Sequence, residues 1–399
     1  MGGTMLDWPH LAPTELILSG GDALLLALAE AELPHPGRPH SSRAELALFV
    51  SLIARRAGIG RAAEGDALRA ALLLPLSKVA STFERPADPP RTHFRVGLAL
   101  RSALAPYPEL AGTATAAASC LAHWDGSGTP PLSASSIPVA GQLLGAALHA
   151  SSARFFERSI ADRERGLLAA DLVASTRGRE LSPELARAAA DLLAEEGPRA
   201  KLARPAAELR AACAGLAPLR SSETELLGLA VWATEATRSL GHGHGRRCAS
   251  LARRLAASLG LSLDGQRLCE LAALAHDIGE REEPAELQSP RGPDLEHPER
   301  GAAILQKSRG LRALAPIVRA HHERLDGSGY PAGLRGEAIP FEARVVAVAE
   351  ILDGMRNERE GRDGLESSVI ERELRALAAA GQLDPSAIEA GIRAAEVFA

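Results

Sequence analysis

Half of the twelve histidines in this 399-residue chain fall between residues 242 and 322, and acidic residues stand beside them. The candidate ligands in this stretch are His244, His276, Asp277, His297, His321 and His322. Imidazole and carboxylate ligands together suit Mn, Fe or Zn. A carboxylate next to a ligating histidine can bridge two ions about 3.5–4 Å apart, and such a pair activates water and holds a phosphoryl oxygen. The pattern therefore predicts a two-metal site for hydrolysis.

One further acidic residue fits this site. Glu350 is the only acid in the apolar run 343–351. A lone carboxylate in a buried helix is costly unless it is paired or binds a metal. Each histidine taken alone is more often a capping or surface residue, so the prediction depends on the combination. His242 is a weaker candidate because the neighbouring His244 fits better. Cys248 lies one turn after His244 and could approach a metal, but it is a weaker candidate still.

The spacing of apolar residues indicates the helices that carry these groups. Residues 245–259 predict a helix ended by Gly260, and Asp264 is expected to cap the helix that leads to His276. The run 343–355 predicts a buried helix. The stretch 321–340, HHERLDGSGYPAGLRGEAIP, begins helically and then becomes too rich in Gly and Pro for a helix. No alternating strand pattern is present, so the predicted fold class is all-α.

Composition excludes several classes of protein. Apolar residues make up 46% and charged residues 24%, which rules out wholesale disorder. The net charge is −5 and no basic segment stands out, so direct DNA binding is not expected. Apolar runs are shorter than the roughly 20 residues of a membrane span. The four cysteines lack metal-ligand spacing and predict reduced thiols in a cytoplasmic protein; they are Cys120, Cys213, Cys248 and Cys269.

The chain also repeats itself. Residues 125–130 read DGSGTP and residues 326–331 read DGSGYP, and an Ile-Pro pair follows each at residues 137–138 and 339–340. Landmarks in one order at a nearly constant offset predict a duplication. The predicted boundaries are a first copy over 1–200, a helical connector over 201–221 and a second copy over 222–399. Ser222 and Glu225 form a capping-box pattern at the start of the second copy.

The second copy resembles the HD-GYP phosphohydrolases, a branch of the HD superfamily with metal centres, many of which cleave cyclic di-GMP. The resemblance spans roughly 222–395 and rests on LAHDIGE (274–280), HPERGAAIL (297–305), HHERLDGSGYP (321–331) and ARVVAVAEILDGM (343–355). It implies two divalent transition-metal ions, Fe or Mn first and Zn, Ni or Co as alternatives. The implied ligands are His244, His276, Asp277, His297, His321, His322 and Glu350, with His276 and Asp277 central to catalysis.

The resemblance also implies a substrate site along the glycine-rich loop. The residues expected to border it are Asp326, Gly327, Gly329, Tyr330, Pro331 and Arg344. Three positions depart from the family pattern. The last ligand is usually Asp and is here Glu350, the residue after HDIG is commonly Lys and is here Glu280, and Leu240 stands where some members hold a third metal with Glu. A third metal is therefore not expected, and Glu280 is expected to weaken phosphate binding.

The first copy lacks the same chemistry. In the repeat register Ser42 stands at the position of His244, Leu74-Pro75 at that of His276-Asp277, and Leu148 at that of Glu350. Cys120-Leu121 replaces the His-His pair, and only His93 remains. One imidazole cannot hold a metal, so residues 1–200 are predicted to be a degenerate copy that keeps the fold, as in bacterial tandem HD proteins.

Three functions stay open on the sequence alone. The first is a phosphodiesterase for a cyclic dinucleotide. The second is an HD-type phosphohydrolase of another nucleotide, since related sites share metals but not pockets. The third is a nucleotide-binding signalling module with little or no activity, which Glu280 favours. A homodimer or a signalling-protein partner is compatible with each.

Overall fold

A computed structural model describes residues 20–31, 42–74, 91–159, 165–202, 205–235, 243–280, 294–357 and 364–396. Every regular element within these ranges is helical, and an isolated β-bridge joins Arg177 to Leu181. The all-α prediction is confirmed. None of the described helices is both long enough and apolar enough to cross a membrane.

Within the described ranges, the α-helices fall into two sets of eight separated by two connector helices. The first set is α1 (Gly20–Ala31), α2 (Arg43–Arg56), α3 (Arg61–Leu73), α4 (Arg91–Leu104), α5 (Ala111–Ser119), α6 (Val139–Ser159), α7 (Arg165–Ala174) and α8 (Pro183–Ala194). The connector holds α9 (Glu196–Lys201) and α10 (Pro205–Cys213). The second set is α11 (Glu223–Glu235), α12 (His244–Ser258), α13 (Leu263–Ala275), α14 (His297–Gln306), α15 (Ala315–Ala320), α16 (Phe341–Arg356), α17 (Ser367–Ala379) and α18 (Pro385–Glu396).

The two sets share irregular landmarks as well as helix order. A short 3₁₀-helix precedes α5 at Pro108–Leu110 and another precedes α15 at Arg312–Leu314. The loop after each of these helices contains a cis peptide bond, at Thr129-Pro130 and Tyr330-Pro331. The glycine-rich turns also match, because Gly126 and Gly327 have φ values of 87° and 79°. Features of this kind are set by local sequence rather than by generic helix packing.

The two sets pack on each other through one continuous core. Helix α1 crosses α11 closely, and a Cβ on Gly21 would lie 2.3 Å from the Leu226 Cδ1 atom. Arg43 of α2 is buried and donates a hydrogen bond to the Ala233 carbonyl of α11 at 3.0 Å. Helix α10 packs on α2. Residues 205–213 of the predicted connector are therefore helical and contribute to the core.

Most local predictions agree with the helix ends. Gly260 follows α12 with a φ of 77°, and Ser222 and Glu225 exchange the hydrogen bonds of a capping box. The predicted cap at Asp264 is wrong: the Ser262 side chain accepts from the Gly265 amide, and Asp264 lies inside α13. Ser262 is the cap because it lies one residue before the first helical turn, where its side-chain oxygen reaches an otherwise unpaired amide.

At the positions that match the candidate ligands of the second set, the first set has residues that are buried in the core or cap a helix. Leu74, Cys120 and Leu148 are buried, and Ser42 caps α2 by accepting from the Glu45 amide. Within the described residues, every cluster that could hold a metal lies between 244 and 322. Pro75, Leu240 and His242 lie outside the described residues, as does the side chain of His93.

His149 of α6 should give the first set a measurable acid sensitivity. Its ring is mostly buried and lies 3.5 Å from the Glu180 carboxylate, and desolvation lowers its pKa to about 4 although the Glu180 charge opposes this. The unfolded chain takes up this proton near pH 6.5, so stability is lost as the pH falls from about 6.5 towards 4, by roughly 3 kcal/mol at most. We expect His149→Gln to remove this part of the pH dependence. Unfolding free energies of both proteins at pH 7 and pH 4.5 test this, and parallel pH curves would contradict it.

Candidate metal centre

The ends of four helices bring the candidate ligands to one point. His244 and His297 are the first residues of α12 and α14, while His276 and His321 directly follow the last residues of α13 and α15. Asp277 and His322 come next in the chain, and Glu350 lies in α16. His276 and His321 are fully buried. Side chains at helix ends are not committed to a helix face, which lets four helices place them around a common centre.

Four of the imidazoles are oriented in the same way. Each donates its Nδ1–H to a group that can only accept: His276 to Ala273 O at 2.8 Å, His297 to Asp294 O at 2.6 Å and His321 to Val318 O at 2.5 Å. His244 donates to the Asp353 carboxylate at 2.7 Å. An imidazole that donates through Nδ1 in its neutral form has a lone pair on Nε2. Each ring therefore presents a metal-binding nitrogen to the centre.

The Nε2 atoms of these four histidines lie close together two by two. The Nε2 atoms of His244 and His276 are 3.2 Å apart, and those of His297 and His321 are also 3.2 Å apart. Two acceptor nitrogens this close repel each other unless a cation lies between them. Metal–nitrogen bonds of about 2.1 Å place two ligand nitrogens roughly 3 Å apart on one ion. The donor set and its spacing therefore fit two ions, one for each pair.

Asp277 lies between the two histidine pairs. Its Oδ2 atom is 3.4 Å from His276 Nε2 and 3.9 Å from His244 Nε2, whereas its Oδ1 atom is 3.5 Å from His297 Nε2. The two oxygens of one carboxylate thus face different pairs. This is the arrangement expected of a ligand that bridges two ions.

His322 and Glu350 complete the set of predicted ligands. The Glu350 Oε2 atom is 3.9 Å from His322 Nδ1, and both side chains are mostly buried. His322 belongs to a cluster with His297 and His321 that could hold one ion. Cys248, one turn after His244, lies near the centre as its sequence position allows. Its sulfur is 3.6 Å from His244 Nδ1, and burial raises the pKa of its thiol well above the ordinary value.

Burial keeps several of these imidazoles neutral. It lowers the pKa of His322 to about 3, with a further contribution from the neighbouring His297. The pKa of His321 lies well below its ordinary value and that of His297 is also lowered, in both cases chiefly through burial. Neutral imidazole is the form that binds metal. Near neutral pH these ligands need not lose a proton to bind an ion.

Asp353 is a functional residue that sequence reasoning missed. It is buried one helical turn after Glu350, accepts from His244, and is held by Arg247 at 2.7 Å and by Asn357 at 2.9 Å. Burial raises the pKa of Asp353, but the hydrogen bonds from His244 and Arg247 outweigh it and leave the pKa below its ordinary value. The signal in the sequence is a second acid, three residues beyond Glu350, on the same buried helix.

We expect Asp353→Asn to weaken metal binding by about 10- to 100-fold, because outer carboxylates fix the orientation and basicity of ligating histidines. Asp384→Asn is the matched control, since Asp384 is also buried and paired with an arginine, Arg344, in the same half of the chain. Titration of both variants with Mn²⁺ checks the prediction. Equal affinities in the two variants would contradict it.

The glycine-rich loop lies beside the candidate ligands. The Tyr330 ring stacks on His322 with centroids 4.7 Å apart and planes 26° apart. Asp326 stabilises the turn by accepting from the Ser328 amide at 2.9 Å. Glu323, which sequence reasoning did not assign, is buried and accepts from the amides of Ala332 and Leu334 at 2.7 Å and 2.9 Å. Its carboxylate thereby fixes the loop beyond Pro331.

Arg344 binds carbonyl and carboxylate groups at the end of this loop. Its guanidinium donates to the carbonyls of Ile339 and Gly336 at 3.0 Å each and pairs with Asp384 at 3.2 Å. These bonds hold the loop against α18. They give the arginine a structural role, in addition to the predicted contact with substrate.

Comparisons with known proteins agree with this geometry. The family model described as "HD domain" matches residues 234–387. These residues form an HD domain. The resemblance inferred from the motifs is therefore confirmed at the level of that domain.

Curated relatives of the HD domain act on cyclic dinucleotides. The 3'3'-cGAMP-specific phosphodiesterase 1 of Vibrio cholerae is 30% identical over 163 residues, which cover 39% of this chain and 38% of that protein. The cyclic di-GMP phosphodiesterase response regulator RpfG of Xanthomonas campestris is 42% identical over 123 residues, covering 28% of this chain and 32% of that protein. The chain thus spans about a third of the length of the curated relatives it matches.

One solved structure resembles nearly the whole chain. The crystal structure of a cyclic GMP-AMP specific phosphodiesterase of V. cholerae aligns with a TM-score of 0.58 and covers 96% of this chain and 98% of its own. The two sequences are 19% identical in this alignment, so the likeness shows the fold. It extends over both sets of helices, beyond the HD domain.

Proposed function

We propose that the chain is a metal-dependent phosphodiesterase that hydrolyses a cyclic dinucleotide in bacterial signalling. The observation that carries the proposal is the pair of histidine pairs, with four Nε2 lone pairs directed inward and Asp277 between them. A buried cluster of this kind has no structural purpose without a cation. Donor types, spacing and tautomers all suit two divalent ions.

The ligand assignment follows from the distances. His244 and His276 would hold one ion, His297, His321 and His322 the other, and Asp277 would bridge them. Glu350, 3.9 Å from His322 Nδ1, would complete the ligand set. Two ions so held supply Lewis-acid stabilisation of a phosphoryl oxygen and lower the pKa of water. Mixed imidazole and carboxylate ligands favour Fe or Mn, with Zn, Ni or Co as alternatives.

The chain's own residues orient the reaction around this centre. The Nδ1 hydrogen bonds fix each imidazole ring, so no ligand has to turn during catalysis. Tyr330 and the loop 326–331 form one wall beside His322, where the phosphodiester would lie. Burial raises the pKa of Tyr330, as do the charges of Glu350, Asp277 and Glu280, so its hydroxyl stays protonated and can donate a hydrogen bond.

The substrate class rests on the relatives. Their names specify cyclic di-GMP or 3'3'-cGAMP, and both molecules present two phosphodiesters in one ring. Another nucleotide substrate is the second candidate. A slow or inactive binding module is the third, favoured by Glu280, whose carboxylate lies within 4.8 Å of ligand atoms of Asp277 and His297.

We further propose that the chain is a tandem duplication, with a degenerate copy over 1–200 and an active copy over 222–399. The repeated helix order and the matched glycine turns support this. The first copy carries buried Leu74, Cys120 and Leu148 at ligand positions. Its role is then to pack on the active copy.

A direct assay tests the proposed activity. The full chain is stripped of metal, reconstituted with Mn²⁺ or Fe²⁺ under anaerobic conditions, and incubated with cyclic di-GMP and with 3'3'-cGAMP. We expect metal-dependent formation of linear dinucleotides from at least one of them. A chain that binds two ions but leaves both substrates intact would favour another nucleotide or a binding role.

A further inference from the structure

Glu280 lies at the centre although the resemblance gives it no role as a ligand. Its carboxylate and one ligand atom each of Asp277 and His297 all lie within 4.8 Å of one another. The side chain is only partly exposed. It therefore belongs to the metal cluster and does not project into open solvent.

A close backbone contact holds Glu280 in this place. The turn after α13 is closed by a hydrogen bond from the Glu280 amide to the Asp277 carbonyl at 3.0 Å. Gly279 lies directly on α14, where a Cβ would be 2.1 Å from the His297 carbonyl oxygen. Only a glycine permits this approach, and it carries the next residue to the side of the cluster where His297 lies.

The nearby cation of α14 has other partners. Arg300 donates through Nε to the Gly279 carbonyl at 2.9 Å, and its terminal nitrogens pair with Asp294 and Glu296. It clamps the turn from outside. The carboxylates of Glu280 and Asp277 lie close together. A cation bound to both would offset the repulsion between their charges.

We propose that Glu280 is an additional metal ligand, which binds the same ion as Asp277 and His297. This inference rests on the proposed metal site and deepens it. Where the family commonly has a lysine for phosphate, this chain would have a third carboxylate for the ion pair. Carboxylate oxygen is a hard ligand that suits Mn²⁺ better than Zn²⁺. Glu280 would therefore shift metal selectivity towards the harder ion.

The test compares Glu280→Gln with Glu299→Gln. The first variant keeps the shape of the side chain and removes its charge. The second removes an exposed carboxylate from the first turn of α14, where Glu299 pairs with Arg319. Free Mn²⁺ is followed by electron paramagnetic resonance during titration of the full chain, with Zn²⁺ competition as a second measurement and circular dichroism as a check of folding.

We expect Glu280→Gln to weaken Mn²⁺ binding at one of two sites by about tenfold or more, since even outer-sphere partners cost about 10- to 100-fold. Zn²⁺ affinity should fall less, and Glu299→Gln should match the wild type. Unchanged Mn²⁺ binding in Glu280→Gln would overturn the proposal. A rise in kcat/KM with unchanged binding would assign Glu280 to phosphate repulsion instead. A wild-type chain that binds no metal would overturn both this proposal and the proposed function.

Discussion

Asp277→Ala is expected to abolish binding of both metal ions. It should also lower kcat/KM for a cyclic dinucleotide by at least about 1000-fold, because loss of one preorganised charge-stabilising group already costs about 100- to 1000-fold. Its two oxygens face different histidine pairs, 3.4 Å from His276 Nε2 and 3.5 Å from His297 Nε2. Without the Asp277 carboxylate, no shared negative charge would lie between the two ions, and each histidine pair would have to hold its ion without it. Metal content by mass spectrometry and steady-state kinetics measure the two effects.

Asp264→Ala is the control for this experiment. Asp264 is an exposed acid in the first turn of the same helix, α13, and makes no contact with the centre among its described bonds. It should keep two ions and the wild-type rate. If Asp277→Ala retained two ions, Asp277 would not be a bridge, and the ligand assignment would be wrong.

Gly329→Ala is expected to have the second-largest effect. A Cβ at this position would lie 2.4 Å from the His322 carbonyl oxygen and 2.5 Å from the Glu323 Cα atom. These atoms are backbone, so they can move only if the His-His segment moves with them. We expect a loss of about 2–4 kcal/mol in unfolding free energy. A displacement of about 1 Å at the ligands should lower kcat/KM roughly 100-fold.

The similar glycine-rich loop of the first set supplies a matched control. Gly128 occupies the same position in the first set, where a Cβ would lie 2.2 Å from the His123 amide nitrogen and 2.6 Å from the Leu121 carbonyl oxygen. Gly128→Ala should destabilise the first set to a similar extent and leave metal content unchanged. Thermal unfolding and metal analysis of both variants, measured below their unfolding temperatures, separate the two effects. Equal metal loss in both variants would count against the separate roles of the two sets.

The residues that gather at the candidate centre could be predicted from the sequence because their types and order are unusual. His276-Asp277 and His321-His322 are rare pairs, and each follows an apolar helical stretch that must end near the core. Helix ends then place them together. The all-α class followed from the same periodicity.

What the sequence did not reveal depends on contacts between distant segments. Asp353 and His244 are 109 residues apart, and nothing in the spacing shows that they are hydrogen-bonded. Arg344 is predicted to border the substrate, and no pattern in the sequence shows that its guanidinium also binds Asp384 and two loop carbonyls. The position of Glu280 beside His297 likewise depends on the close packing of Gly279 on α14, which a one-dimensional pattern does not contain.

The most direct measurement of the central claim is anomalous X-ray diffraction from crystals of the full chain reconstituted with Mn²⁺. The account predicts two anomalous peaks, one beside the Nε2 atoms of His244 and His276 and one beside those of His297 and His321, with Asp277 between them. It predicts no peak in the first set of helices. A single peak elsewhere, or an empty density between the histidine pairs at saturating Mn²⁺, would contradict it.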